Sequence, residues 1–114
     1  MKLVIVESPF AGEVELNQTY ARAAMADCLA RGEAPYASHL LYTQDGVLDD
    51  SKPEERKLGI EAGLAWGKKA DLTAVYTDRG VSGGMEAGIA RAKAEDRPIE
   101  FRSIQAFLDG TPDE

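Results

Sequence analysis

The run Leu3-Val4-Ile5-Val6 is apolar at every position and stops at the turn signal Ser8-Pro9-Phe10-Ala11-Gly12. A strand with one face in water alternates apolar and polar residues. A strand without alternation is buried on both faces, as in the middle of a parallel sheet. Leu72 to Tyr76 reads the same way. Two such strands in one short chain require covering layers above and below the sheet, and that constrains the fold more than any other feature.

Helices supply those layers. Glu13 to Arg31 places Ala21, Ala24, Met25, Cys28 and Leu29 on one face at helical spacing. Glu13 and Glu15 suit its positive end, and Gly32 suits its C-cap. Pro35 to Ser38 reads as a short strand and residues 39–52 as a loop. A loop that long with apolar residues and a tyrosine is expected to fold over a site or a partner. Pro53 then opens a helix capped by Ser51 or Lys52, with Leu58, Ala62 and Ala65-Trp66 as its expected buried stripe up to Lys69. After Leu72–Tyr76 comes the glycine-rich turn Thr77 to Gly84. A helix follows from Met85 to Glu95, with Met85, Ile89 and Ala92 inward, and then a strand over Pro98–Phe101. A last turn is expected at Ile104 to Leu108.

The order β-α-β-loop-α-β-α-β predicts an α/β fold. It is a small doubly wound, Rossmann-like or flavodoxin-like three-layer sandwich with a mostly parallel sheet of four or five strands. With 114 residues, 44% of them hydrophobic, it makes one domain over residues 1–114. Such sheets bind ligands beyond the carboxyl ends of their strands, near the point where the winding reverses. The turns ending the first and third strands are therefore the candidate site.

Composition narrows the partners. The net charge is −7, so a DNA or RNA polymer is not an expected partner, though a local pocket can still hold a small nucleotide. The one cysteine, Cys28, excludes an internal disulfide and suits a reducing cytoplasm. The stretch Met1 to Glu7 lacks the form of a signal peptide, and no apolar run reaches the ~20 residues of a membrane helix. No membrane contact, metal or cofactor is expected. Asp45, Asp49 and Asp50 lack calcium-loop spacing, there is no His/Cys cluster, and Cys28 falls on a buried helix face.

Several residues are candidates for chemistry. Ser82, Gly83 and Gly84 open a helix whose free amides suit a phosphate, a carboxylate or a sugar hydroxyl, with Met85 beside them. Glu86 in the first helical turn is stabilised as an anion, which suits a nucleophile; the plainer reading is a complement to the helix dipole. Asp78 follows a strand end and is either a ligand-binding acid or a turn-initiating Asp. Ser8, Pro9 and Phe10 follow the first strand, with Phe10 suited to covering a ring. His39, the one histidine, stands at the head of the loop with Tyr42 three residues on, placed to hydrogen-bond a ligand or to act as acid or base.

The chain resembles the nucleoside 2-deoxyribosyltransferase-like superfamily, which includes small nucleotide N-glycosidases. More closely, it resembles an uncharacterised family frequent in phage and prophage genomes. The resemblance rests on Glu7-Ser8-Pro9-Phe10, Tyr20-Ala21-Arg22, Pro35 to His39, Glu61-Ala62-Gly63, Tyr76-Thr77-Asp78 and Ser82 to Glu86. It implies cleavage of a base–sugar bond by hydrolysis or transfer. Glu86 would be the nucleophile, Asp78 the sugar- or base-contacting acid, and Asp78 or His39 the source of the departing base's proton. It implies a nucleoside or nucleotide ligand, a homodimer or higher homo-oligomer sharing its sites, and a bacterial host cytoplasm if phage-encoded. Ser8 stands where that superfamily has Gly. The alternative expectations are a nucleotide- or signalling-molecule-binding protein without turnover, and an interaction protein.

Overall fold

The computed structural model describes residues 1–104, so the expected turn at Ile104 to Leu108 lies outside the described residues from 105 on. The elements in chain order are β1 (Leu3–Glu7), α1 (Val14–Ala30), β2 (Ala34–Tyr36), α2 (Ser38–Leu41), α3 (Pro53–Gly67), β3 (Leu72–Tyr76), α4 (Gly83–Ala94) and β4 (Ile99–Arg102). All four strands run parallel in the order β2-β1-β3-β4. The doubly wound fold is therefore present, with its winding reversed between β1 and β3. No helix among the described residues is long and apolar enough to cross a membrane.

One sheet face is closed. Val4 and Val6 of β1 pack with Leu72, Ala74 and Tyr76 of β3 against Tyr20, Ala24 and Cys28 of α1. The helix ends as Gly32 foretells: Gly32 has φ +79°, its amide donates to the Leu29 carbonyl, and the Glu33 amide donates to the Cys28 carbonyl. That pairing satisfies the last carbonyls and turns the chain into β2.

The opposite face is covered over β3, where Thr73 and Val75 are fully buried, but less so over β1. Ile5 and Glu7 point to it, and α3 and α4 lie above it without filling it. Here the structure corrects the expected stripe of α3. Leu58 and Trp66 are each 55% exposed and Ala65 is also exposed, while Gly59, Gly63 and Gly67 face the interior. Those glycines recur every four residues, so they form one row along the helix. A Cβ at these positions would meet Leu48 at 3.3 Å, Ser38 at 3.5 Å and Arg97 at 3.5 Å, so the row lets α3 pack close to the residues that border the cavity. A second correction concerns residues 39–52, which are not all loop, because His39 lies within the one-turn helix α2.

Candidate functional site

The cavity measures about 540 Å³ and lies between α3, α4 and the less covered sheet face, at the carboxyl end of β1. Its floor is Ile5 and Glu7. Its sides are the glycine row of α3 and the α4 residues Gly84, Ala87 and Gly88. Phe10, His39, Tyr42, Thr43 and Leu48 border it, so part of the long connection lies over this cavity.

Glu7 is the last residue of β1, and strand alternation turns its side chain away from the α1 core. Its carboxylate makes no hydrogen bond and no ion pair within 4 Å among the described residues. Burial raises its pKa from 4.5 to about 7, against the opposing pull of the Arg97 guanidinium. Arg97 is itself occupied, donating to Thr73 Oγ1 at 2.9 Å, the Gly67 carbonyl at 2.6 Å and Glu95 at 2.6 Å. It is a fixed cation rather than a partner. A half-buried acid poised near neutrality and facing a cavity is a candidate reactive group.

The Phe10 and His39 rings stack at 4.8 Å with planes 17° apart. Asn17 holds Phe10 in place: its Nδ2 donates to the Phe10 carbonyl at 3.0 Å and the Ala11 carbonyl at 3.2 Å, while its Oδ1 accepts from Arg79 at 2.8 Å. Burial lowers the His39 pKa, so the imidazole is neutral at pH 7. On the β2 side, Tyr36 packs 5.5 Å from the Trp66 ring and 6.3 Å from the Tyr42 ring. Trp66 donates to the Tyr42 hydroxyl at 3.1 Å. The Tyr36 hydroxyl is buried without a hydrogen-bond partner among the described residues.

Of the residues expected at a site, Phe10, His39, Tyr42, Ser82, Gly83 and Gly84 do come together around this cavity. Ser82 Oγ accepts from the Met85 amide at 3.3 Å, and the Ser82 amide donates to Met85 Sδ at 3.4 Å. That cap leaves the Gly83 and Gly84 amides at the rim. Met85 and Ser8 are buried away from the cavity wall, and Pro9 is also off it. Glu86 is exposed on the far side of α4.

Asp78 stands apart as well. It accepts from the Tyr20 hydroxyl at 2.7 Å, the Ile104 amide at 2.7 Å and the Ser103 hydroxyl. Burial would raise its pKa, but these bonds outweigh burial and hold it below the ordinary value. It is an ionised, fully used carboxylate that ties β3 to the end of β4.

Comparison with known proteins fits this architecture. Residues 2–102 match a family described as "Domain of unknown function (DUF7768)". The chain belongs to this family. That description gives neither an activity nor a phage association. Among curated proteins, no sequence matches at a significant level. Four solved chains do match in structure. One is a 2-deoxyribosyltransferase from the psychrotolerant bacterium Bacillus psychrosaccharolyticus. It has 17% identity and a TM-score of 0.64, over 93% of this chain and 79% of that one. At that identity the likeness is one of fold.

Sequence reasoning missed Glu7, Tyr36, Arg56, Arg91, Arg97 and the glycine row as parts of the cavity. Two signals for them were present. Glu7 is a charge at the end of a strand otherwise apolar on both faces, and Gly59, Gly63 and Gly67 share one helical face.

Proposed function

We propose that this DUF7768 protein binds a nucleoside or nucleotide in the cavity and breaks its base–sugar bond, by hydrolysis or by transfer to a second base. The observation that carries the reading is Glu7: a half-buried carboxylate without an ion pair at the carboxyl end of a central strand, facing an open cavity. The fold shared with a 2-deoxyribosyltransferase supports the nucleoside class. Arg56 and Arg91 also line the cavity and make only long ion pairs of 3.7 Å, to Asp50 and Glu95, which favours a phosphorylated substrate.

The chemistry follows from charge. As the C1′–N bond breaks, its electron pair leaves with the base, which takes up a proton, and positive charge develops on the sugar. A carboxylate destabilised by burial gains most from that charge, whether it bonds to C1′ or only faces it. Water or a second base then supplies the new atom at C1′. In this reading Glu7 takes the role that the sequence resemblance gives Glu86, because Glu7 faces the cavity and Glu86 faces away from it. Neutral His39, stacked on Phe10, offers an N–H to the departing base. Asp78 keeps the chain in shape.

The test is incubation with a panel of nucleosides and 5′-nucleotides, with released base and retained ligand read by mass spectrometry. Base release is expected from the parent and from Glu86→Gln, but not from Glu7→Gln. Loss in Glu86→Gln with survival in Glu7→Gln returns the role to Glu86. A ligand retained intact by the parent rejects turnover and favours a binding protein.

A further inference from the structure

Among the glycines, Gly88 is in a class of its own. A Cβ built on it would fall on the Glu7 carboxylate itself, overlapping both oxygens and the carbon that bears them. Beside Gly67 the nearest atoms are those of the Arg97 guanidinium at 3.5 Å, which is ordinary contact. Gly88 lies in the interior of α4, and its backbone does not adopt the left-handed conformation that glycine alone tolerates. Glycine is among the poorest residues for a helix interior. Backbone geometry therefore does not account for it, whereas the space it leaves does.

We propose that Gly88 is a positioning residue, a socket in α4 whose missing side chain seats the Glu7 carboxylate against the helix and fixes its aim into the cavity. The proposal rests on the reading of Glu7 as the reacting carboxylate. Seated there, the carboxylate is shielded by helix backbone on one side and reaches the cavity on the other. The charged and titratable groups that line the cavity with it are Tyr36 of β2, His39 of α2, Tyr42 and Asp50 of the following loop, Glu55 and Arg56 of α3, Arg91 of α4, and Arg97 before β4. Of these, Arg97 pulls the Glu7 pKa down against burial. Filling the socket forces the carboxylate outward into better-hydrated space, where it titrates closer to an ordinary glutamate.

The experiment has two parts. The first is carbon-detected NMR titration of Glu7 in the parent and in Gly88→Ala, with the pH profile of base release alongside. The Glu7 midpoint should fall by at least one pH unit from about 7. At pH 7, kcat should fall by roughly tenfold or more, with KM changed by less than about threefold, as expected for a misaimed reacting group. Rescue follows from the same geometry: Gly88→Asp in a Glu7→Ala background returns a carboxylate to that space from α4 and should recover part of the lost rate. An unchanged midpoint and unchanged kcat in Gly88→Ala overturn the proposal.

The second part is independent of activity. Gly88→Ala should lower Tm in the parent and raise it in Glu7→Ala, where the overlap is gone and helix propensity alone remains. The same sign in both backgrounds overturns the proposal, and the Glu7→Ala background keeps this test available if Gly88→Ala alone does not fold. If no substrate releases base, the proposed function fails, while the titration and the Tm reversal still decide the socket.

Discussion

The two faces of the sheet both bury charge, but on opposite terms. On the α1 face, Arg102 donates two bonds to Glu33, at 2.8 and 2.7 Å, and one each to Glu100 at 2.6 Å and the Tyr76 hydroxyl at 3.2 Å. Tyr76 donates in turn to Asp27 at 2.8 Å and meets Cys28 Sγ at 3.3 Å. Burial pushes the Cys28 thiol up, so it is inert. On the cavity face, the Tyr36 hydroxyl is buried with no hydrogen-bond partner among the described residues, and the half-buried Glu7 carboxylate faces the cavity. A satisfied polar network specifies a structure, whereas a buried polar group without a partner beside a cavity adds no such constraint. Polar density alone does not mark a site.

The sharpest way to break that contrast is Glu7→Gln. Base release is expected to fall by about 10³-fold, while the folded protein becomes more stable at pH 8. The sign follows from linkage. The folded-state pKa of Glu7, about 7, lies above its ordinary 4.5. Between those values the folded state keeps a proton that the unfolded chain has lost, so stability falls as pH rises toward 7 and stays low above it. At one pH unit per ~1.4 kcal/mol, this group costs on the order of 3 kcal/mol at pH 8. Urea titrations of parent and variant at pH 5 and pH 8 should show the gap widening at the higher pH. A gap between parent and variant that is the same at both pH values would place Glu7 among ordinary surface acids. By the same reading, kcat/KM for base release rises through pH 7 as Glu7 ionises.

Arg102→Ala is the counterpart on the other face. It leaves the half-buried Glu33 and the Tyr76 hydroxyl without the guanidinium and should cost about 1–3 kcal/mol in urea denaturation, with activity per folded molecule unchanged. Asp78→Asn comes next. Weakening its bonds from Tyr20, Ser103 and Ile104 should cost about 1–3 kcal/mol, again without a specific loss of rate. A loss of kcat without loss of stability would move Asp78 into the site and erase the division between the faces. Smallest of all is Glu86→Gln, an exposed change expected within about 0.5 kcal/mol in stability and within about twofold in rate.

Much of this was legible in the chain. Leu3–Val6 and Leu72–Tyr76 announced buried parallel strands, Gly32 and Pro53 marked helix boundaries, and the long connection after β2 was expected to cover something. Phe10, His39 and the Ser82-Gly83-Gly84 turn pointed to the end of the sheet where the cavity lies. Helix α3 was misread because Leu58, Ala65 and Trp66 look like a buried stripe by hydrophobicity, while the glycine row that faces inward carries no hydrophobic signal. Glu86 and Asp78 attracted attention because their types and turns suit chemistry, and nothing local reveals that one faces solvent and the other is fully bonded.

The sequence by itself determined the layers, because periodicity and turn chemistry act over a few residues and do not need the rest of the chain. Only the tertiary structure decided which carboxylate faces the cavity. That outcome depends on which sheet face α4 covers, on the missing side chain at Gly88, and on how much water reaches Glu7. Those are properties of residues about 80 positions apart in the chain, so hydration and proximity in space, rather than residue type, single out Glu7 from the chain's acidic residues.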